Sequence, residues 1–164
     1  MSNSQNMVEL LYHRSPALYG KGDRVPPGNW GRMILGVGPR HNCFYREYLL
    51  EHIRATEFPD KPSRMKAAFA FENCGFAQSW NRGTNVAEYV FAVKLADPEA
   101  PLHRGDMNWI DAMGDFHSFS GVEECARHYW RGDERHPDTW EFVTAGELIV
   151  VDRLTAITEN GVKC

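Results

Sequence analysis

The sequence has no C-x-x-C pair, no excess of basic residues and no long apolar run, and each absence narrows what the chain can be. The four cysteines, Cys43, Cys74, Cys125 and Cys164, lie roughly 30 to 50 residues apart. That spacing suits neither a zinc site nor a secreted disulfide scaffold, so free thiols in a reducing compartment are expected. A net charge of −4 argues against a general electrostatic grip on nucleic acid or on an anionic membrane, though a local basic patch is compatible with it. No stretch approaches the ~20 apolar residues that cross a bilayer, and no charged leader precedes an apolar core. A soluble, cytoplasmic protein without membrane partners is therefore expected, acting in its own cell or in one it is delivered to. The familiar phosphate and hydrolase signatures are missing too. "GKGDR" has no G-K-[ST], "GVGPRHN" lacks the third glycine of a dinucleotide fingerprint, and neither G-x-S-x-G nor H-E-x-x-H occurs.

What is present is an ordinary globular composition, 43% hydrophobic and 12% aromatic, in 164 residues. That suits one domain with a sizeable core. The first six residues, "MSNSQN", are expected to be disordered. "VELLYHR", 8 to 14, reads as a strand, and the Gly- and Pro-rich stretch 20 to 40 reads mostly as loop. Apolar positions 44, 45, 48, 49 and 53 have helical spacing, which predicts a helix near 43–57. Ser63 after Pro62 predicts a capped helix over 63–73, with Met65, Ala68, Phe69 and Phe71 on one face. "AEYVFAVKL", 87 to 95, is the clearest strand, and 103 to 121 is mixed, with a short helical turn. Ser120 and Glu123 have capping-box spacing ahead of a helix over about 121–131, and 140 to 157 gives one or two strands. Strands and helices mix without βαβ regularity, which points to an α+β fold.

Several residues could carry chemistry. His103, Asp106, Asp111, Asp115 and His117 are metal-ligand types, but their spacings of 3, 5, 4 and 2 fit no standard template, so no metal is expected. His13 and Arg14 end a strand where loop begins, a common place for ligand contacts. Ser63 and Arg64 open the predicted helix, and a helix start suits an anionic group such as a pyrophosphate. Glu147 heads the apolar run "LIVV". It is either a carboxylate facing water at a strand end or one aimed by a rigid strand into a cleft.

Three pieces taken in order resemble the ADP-ribosyltransferase superfamily: "LLYHR", then "SRMKAAFAFEN" with "EYVFAVKL", then "AGELIVVDRL". The last is similar to the element bearing the catalytic Glu in DNA-targeting members, and the middle piece resembles the small rifampin-modifying transferases of bacteria. Each piece is short, but together they span 8 to 157. Phe69 and Phe71 stand where many members place a tyrosine, and no S-T-S triplet appears. The resemblance implies a single α+β domain in which two short, strongly bent sheets with flanking helices enclose an NAD cleft. It implies NAD as co-substrate and a mono-ADP-ribosyltransferase; the acidic chain points to a protein side chain or a small molecule as acceptor, with nucleic acid the other candidate. It further implies that His13 meets a ribose, Arg14 or Arg64 the pyrophosphate, Ser63 the nicotinamide half, and Phe71 the ring. Glu147 would then be the catalytic carboxylate, binding a ribose hydroxyl and stabilising an oxocarbenium-like transition state. An RNA 2′-phosphotransferase-like enzyme, a binding module that keeps the fold without activity, and an unrelated α+β interaction protein are the competing readings.

Overall fold

The architecture follows from where the period-2 and period-3.6 patterns fall. In the computed structural model, which describes residues 10–80 and 88–157, seven strands form one antiparallel sheet. The strands are β1 (Leu11–Ser15), β2 (Arg24–Val25), β3 (Ala68–Phe71), β4 (Glu88–Leu95), β5 (Leu102–Asp106), β6 (Trp140–Thr144) and β7 (Leu148–Ile157), in the order β2-β7-β4-β1-β3-β6-β5. Five α-helices accompany it: α1 (Asn29–Val37), α2 (Phe44–Glu57), α3 (Cys74–Ser79), α4 (Met107–Ala112) and α5 (Phe119–Arg131). The molecule is a single α+β domain. Among the described residues, no helix is long and apolar enough to cross a membrane. The expected disorder of 1–6 and the residue Cys164 lie outside the described residues; Cys43 and Cys125 are free thiols.

The two separate sheets expected from the resemblance are replaced by one. β1 pairs β4 along five positions, from Leu11↔Val93 to Ser15↔Tyr89, but meets β3 only at Tyr12↔Phe71. That narrow joint keeps the two halves in one sheet while letting them part around it. Side chains alternate across the strands. Ala68 and Ala70 join Leu11, Phe91, Val93 and Leu148 on one face, while Phe69 and Phe71 pack on the other with Leu50, Ile53, Tyr129 and Trp130.

The helix expected over 63–73 is a correction. Only Arg64–Lys66 makes a 3₁₀ turn, capped by Ser63. The A-F-A-F that follows is β3, because strand partners on both sides override its weak helical spacing. The stretch 20 to 40 is not mostly loop either. Its glycines and prolines sit largely at the ends of α1, where they start and stop a helix. β5 was missed because its "LHRGD" is polar, as befits an edge strand. α5 begins two residues earlier than expected, since the cap is Ser118, whose Oγ accepts from Gly121 N at 3.2 Å. The predicted helix near 43–57 and the strands at 88–95 and in 140–157 stand.

Gly31 decides how α1 seats. A Cβ there would lie 1.9 Å from the backbone oxygen of Met65, in the turn that carries Arg64. Gly31→Ala is therefore expected to destabilise by at least about 1–3 kcal/mol, the usual scale for overpacking. Gly36→Ala, in the same helix with open space around it, should stabilise by about 0.5–1 kcal/mol. Denaturant midpoints of opposite sign test the placement; a neutral Gly31→Ala contradicts it.

His103 makes stability depend on pH. It is buried on β5, its Nε2 donates to the Tyr129 carbonyl at 3.0 Å, and it packs against the Tyr129 and Trp130 rings. Burial, and then the charges of Lys61 and Arg64, push it down to about 4 against the pull of that carbonyl. The folded value lies below the unfolded one, so the contribution is complete above about 6.5 and is lost as pH falls toward 4. The shift corresponds to at most roughly 3 kcal/mol. His103→Gln should flatten the fall in unfolding midpoint between pH 6.5 and 4.5; an unchanged slope removes His103 as its source.

Candidate functional site

The joint between β1 and β3 opens into an enclosed pocket of about 120 Å³. β1 brings His13 and Arg14 to it, β3 brings Phe69 and Phe71, the 3₁₀ turn brings Arg64, and β6 brings Glu141. Helix α1, once seated by Gly31, closes one side with Trp30 and Met33, and Trp80 after α3 closes another. Four of the expected residues thus converge although the sequence scatters them: His13, Arg14, Arg64 and Phe71.

Their partners differ from expectation. His13 is half-buried, and its Nδ1 donates to the Phe69 carbonyl at 2.7 Å across the joint, which fixes the ring. Phe71 stands edge-on to Phe76 at 5.1 Å and to Trp80 at 5.3 Å, so the aromatic wall is rigid. Arg14 is buried and engaged with Glu88 and with the carbonyls of Ala77, Gln78 and Trp80. Its guanidinium ties α3 to the sheet rather than waiting for a phosphate. Arg64 is 4% exposed. It grips Glu47 through two bonds of 2.9 and 3.2 Å, donates to the Tyr129 hydroxyl at 2.6 Å, and pairs with Glu141. This guanidinium is also committed, which corrects its assignment to a pyrophosphate.

Two expected residues are not brought to the pocket. Ser63 caps the 3₁₀ turn, accepting from Met65 N at 3.2 Å, and donates to Glu51 of α2 at 2.9 Å. Glu147 lies just before β7 and pairs with Arg24 at 2.6 Å on the surface, the two side chains 40% and 61% exposed. It does not line the pocket, and Val25 and Leu148 pair beside it at the sheet edge.

The pocket's own carboxylate is Glu141, six residues earlier, which sequence reasoning missed. It is 2% exposed. Its Oε1 accepts from both Arg64 and the Tyr129 hydroxyl, while Oε2 has no hydrogen bond among the described residues. Burial, opposed by Arg64 and reinforced by Glu141, pushes the Tyr129 hydroxyl up, so it stays a donor. Glu47 is held below the usual carboxylate range: burial alone would raise it, and Arg64 and Arg46 outweigh that. The signal available was "TWEFVT", a charge flanked by apolar residues inside a strand pattern.

The metal-ligand types do not assemble. His103 is in the core, Asp106 accepts from Asn108 N, Arg135 N, His136 N and Thr139 Oγ1, and Asp111, Asp115 and His117 are exposed. Among the described residues, no group of three His, Cys, Asp or Glu is placed to hold a metal ion.

Residues 32–158 match a family model described as "Protein of unknown function (DUF2441)". A comparison with curated proteins gave no match.

Proposed function

The chain belongs to the DUF2441 family, and from the chemistry of its pocket we propose that it is a mono-ADP-ribosyltransferase that uses NAD as co-substrate. The observation that carries this is Glu141: a buried carboxylate with one oxygen held by Arg64 and Tyr129 and the other left for an aromatic-walled, ring-sized pocket. NAD supplies an ADP-ribosyl group; its ribose–nicotinamide C–N bond breaks with the electron pair leaving on nicotinamide, and an acceptor lone pair takes that place as its proton passes to solvent. Phe71 and Trp80 flank the ring. Glu141 accepts from a ribose hydroxyl and stabilises the positive charge that grows on the sugar. Arg64 and Tyr129 hold that carboxylate in place, so little reorganisation is needed when charge develops. His13, locked to Phe69, offers its ring to the sugar side. The pocket fits one end of NAD only, since whole small-molecule sites run to about 300–1,000 Å³. The acceptor is a protein side chain in this reading, the acidic chain disfavouring nucleic acid.

The test is incubation of the pure protein with NAD labelled in the adenylate half, with and without cell lysate, following free nicotinamide and label on macromolecules. Label on protein is the expected result. Nicotinamide release without labelling redirects the reading to a glycohydrolase. Binding of NAD with no release leaves a binding module, and a protein that neither binds nor cleaves NAD ends the proposal.

A further inference from the structure

The enclosed pocket is too small for a dinucleotide, and both arginines first expected to meet its phosphates are committed elsewhere. A third arginine is not. Arg46 lines the enclosed pocket and also a second, wider pocket of about 630 Å³ between α2, α4 and the start of α5. Its Nε is buried and has no hydrogen-bond partner among the described residues. Its one ion pair among the described residues, to Glu47, is long at 3.3 Å, and Glu47 is already gripped by both arms of Arg64. Arg46 also sits in the first turn of α2, a 14-residue helix with no side-chain cap. The positive end of the helix adds to its charge there. The wider pocket has aromatic and apolar walls, among them Tyr45, Leu49 and Phe119, with Phe119 90% exposed. Asp111 and Glu123 line it as well, acceptors for hydroxyl or amino donors and poor neighbours for a phosphate.

We infer that Arg46 is the anion-binding residue of the site, and that the wider pocket takes the adenosine end of an ADP-ribosyl ligand whose phosphates lie on Arg46. The inference rests on the reading of the enclosed pocket as the nicotinamide–ribose end. Two aromatic-walled pockets share one arginine whose side chain is 26% exposed and whose pair with Glu47 is loose, which matches two ring systems joined by an anionic link. The carboxylates then fall at the adenosine end, where ribose hydroxyls and the base amine are donors.

Calorimetric titration with ADP-ribose, AMP and nicotinamide separates the parts. Arg46→Gln should weaken ADP-ribose about tenfold to a hundredfold, the range for a charge-assisted hydrogen bond. Arg46→Lys, which keeps the charge and the fold but loses Nε and the fork, should weaken it by less. Phe119→Ala should weaken both ADP-ribose and AMP about tenfold, the scale of one base stacking on an aromatic ring. Phe119→Ala, whose side chain lines only the wider pocket, should bind nicotinamide as the wild type does. Wild-type affinity for ADP-ribose in Arg46→Gln and Phe119→Ala overturns the inference, as does nicotinamide release by a wild-type protein that does not bind ADP-ribose; the transferase reading survives both. If the losses appear but NAD is never cleaved, the inference stands and the transferase reading falls.

Discussion

Glu141→Gln is expected to lower nicotinamide release from NAD about 10²–10³-fold, the effect of removing one preorganised electrostatic contact. The glutamine keeps an oxygen that can accept from Arg64 and Tyr129, so the local shape survives. It lacks the charge that meets positive charge growing on the sugar. NAD affinity should change far less, because the ground-state ribose has no such charge. Glu147→Gln is the internal comparison. Its carboxylate is 40% exposed and, among the described residues, paired only with Arg24, so its effect on stability should stay within about 0.5 kcal/mol, as for other surface changes, and turnover should hold. A calorimetric titration beside a turnover assay distinguishes the two. If Glu147→Gln is the damaging change and Glu141→Gln is silent, the carboxylate assignment is reversed and the pocket described here is not where the chemistry occurs.

The elements that could be read from the sequence were those whose own pattern agreed with their surroundings. α2 was placed by apolar residues at helical spacing, although Tyr45 and Tyr48 turn out exposed and its buried face is Glu47, Leu50 and Ile53, and β4 is aromatic and β-branched with both faces covered. β3 could not be read because four residues of alternating Ala and Phe carry too little pattern to outvote a good cap signal at Ser63. That cap exists, but it serves one 3₁₀ turn. α1 was hidden by composition: Gly31 reads as a breaker until the Met65 carbonyl against it shows why nothing larger fits.

The site was legible in its types more than its positions. A His and an Arg at a strand end and an Arg beside a cap all reached one pocket, because β1 and β3 adjoin at the joint. Which guanidinium stays available could not be read, since Arg14 and Arg64 take partners 74 and 77 residues away. The carboxylate was misplaced for a related reason. Glu147 and Glu141 both border apolar runs, and only the pairing of β6 with β3, which sets Glu141 opposite Phe71, separates them.

Arg64→Ala is expected to be among the most destabilising single changes in the chain, at about 3–5 kcal/mol. The side chain is 4% exposed and lies between Glu47 and Glu141, both buried. It also rests over the Phe69 ring at 4.9 Å and the Tyr129 ring at 5.3 Å. Removing it leaves two carboxylates out of water, Glu47 keeping its long pair with Arg46. Against the 5–15 kcal/mol typical of a domain, about that much loss is severe. Arg64→Lys should recover only part, because a single ammonium cannot reproduce the fork that serves three partners. The pH dependence identifies the cause. In the wild type, Arg64 helps hold the Glu47 carboxyl below its usual 4.5, so that stabilisation is present above 4.5 and is lost as pH falls through the lowered folded value. In Arg64→Ala, burial acts on Glu47 with far less opposition and raises its carboxyl, so the variant gains stability on acidification. The gap between the two proteins should therefore narrow from pH 7 to pH 4 in urea denaturation. A gap that stays constant with pH would mean that Arg64 acts through packing on Phe69 and Tyr129, and that the buried charges are not what the fold depends on.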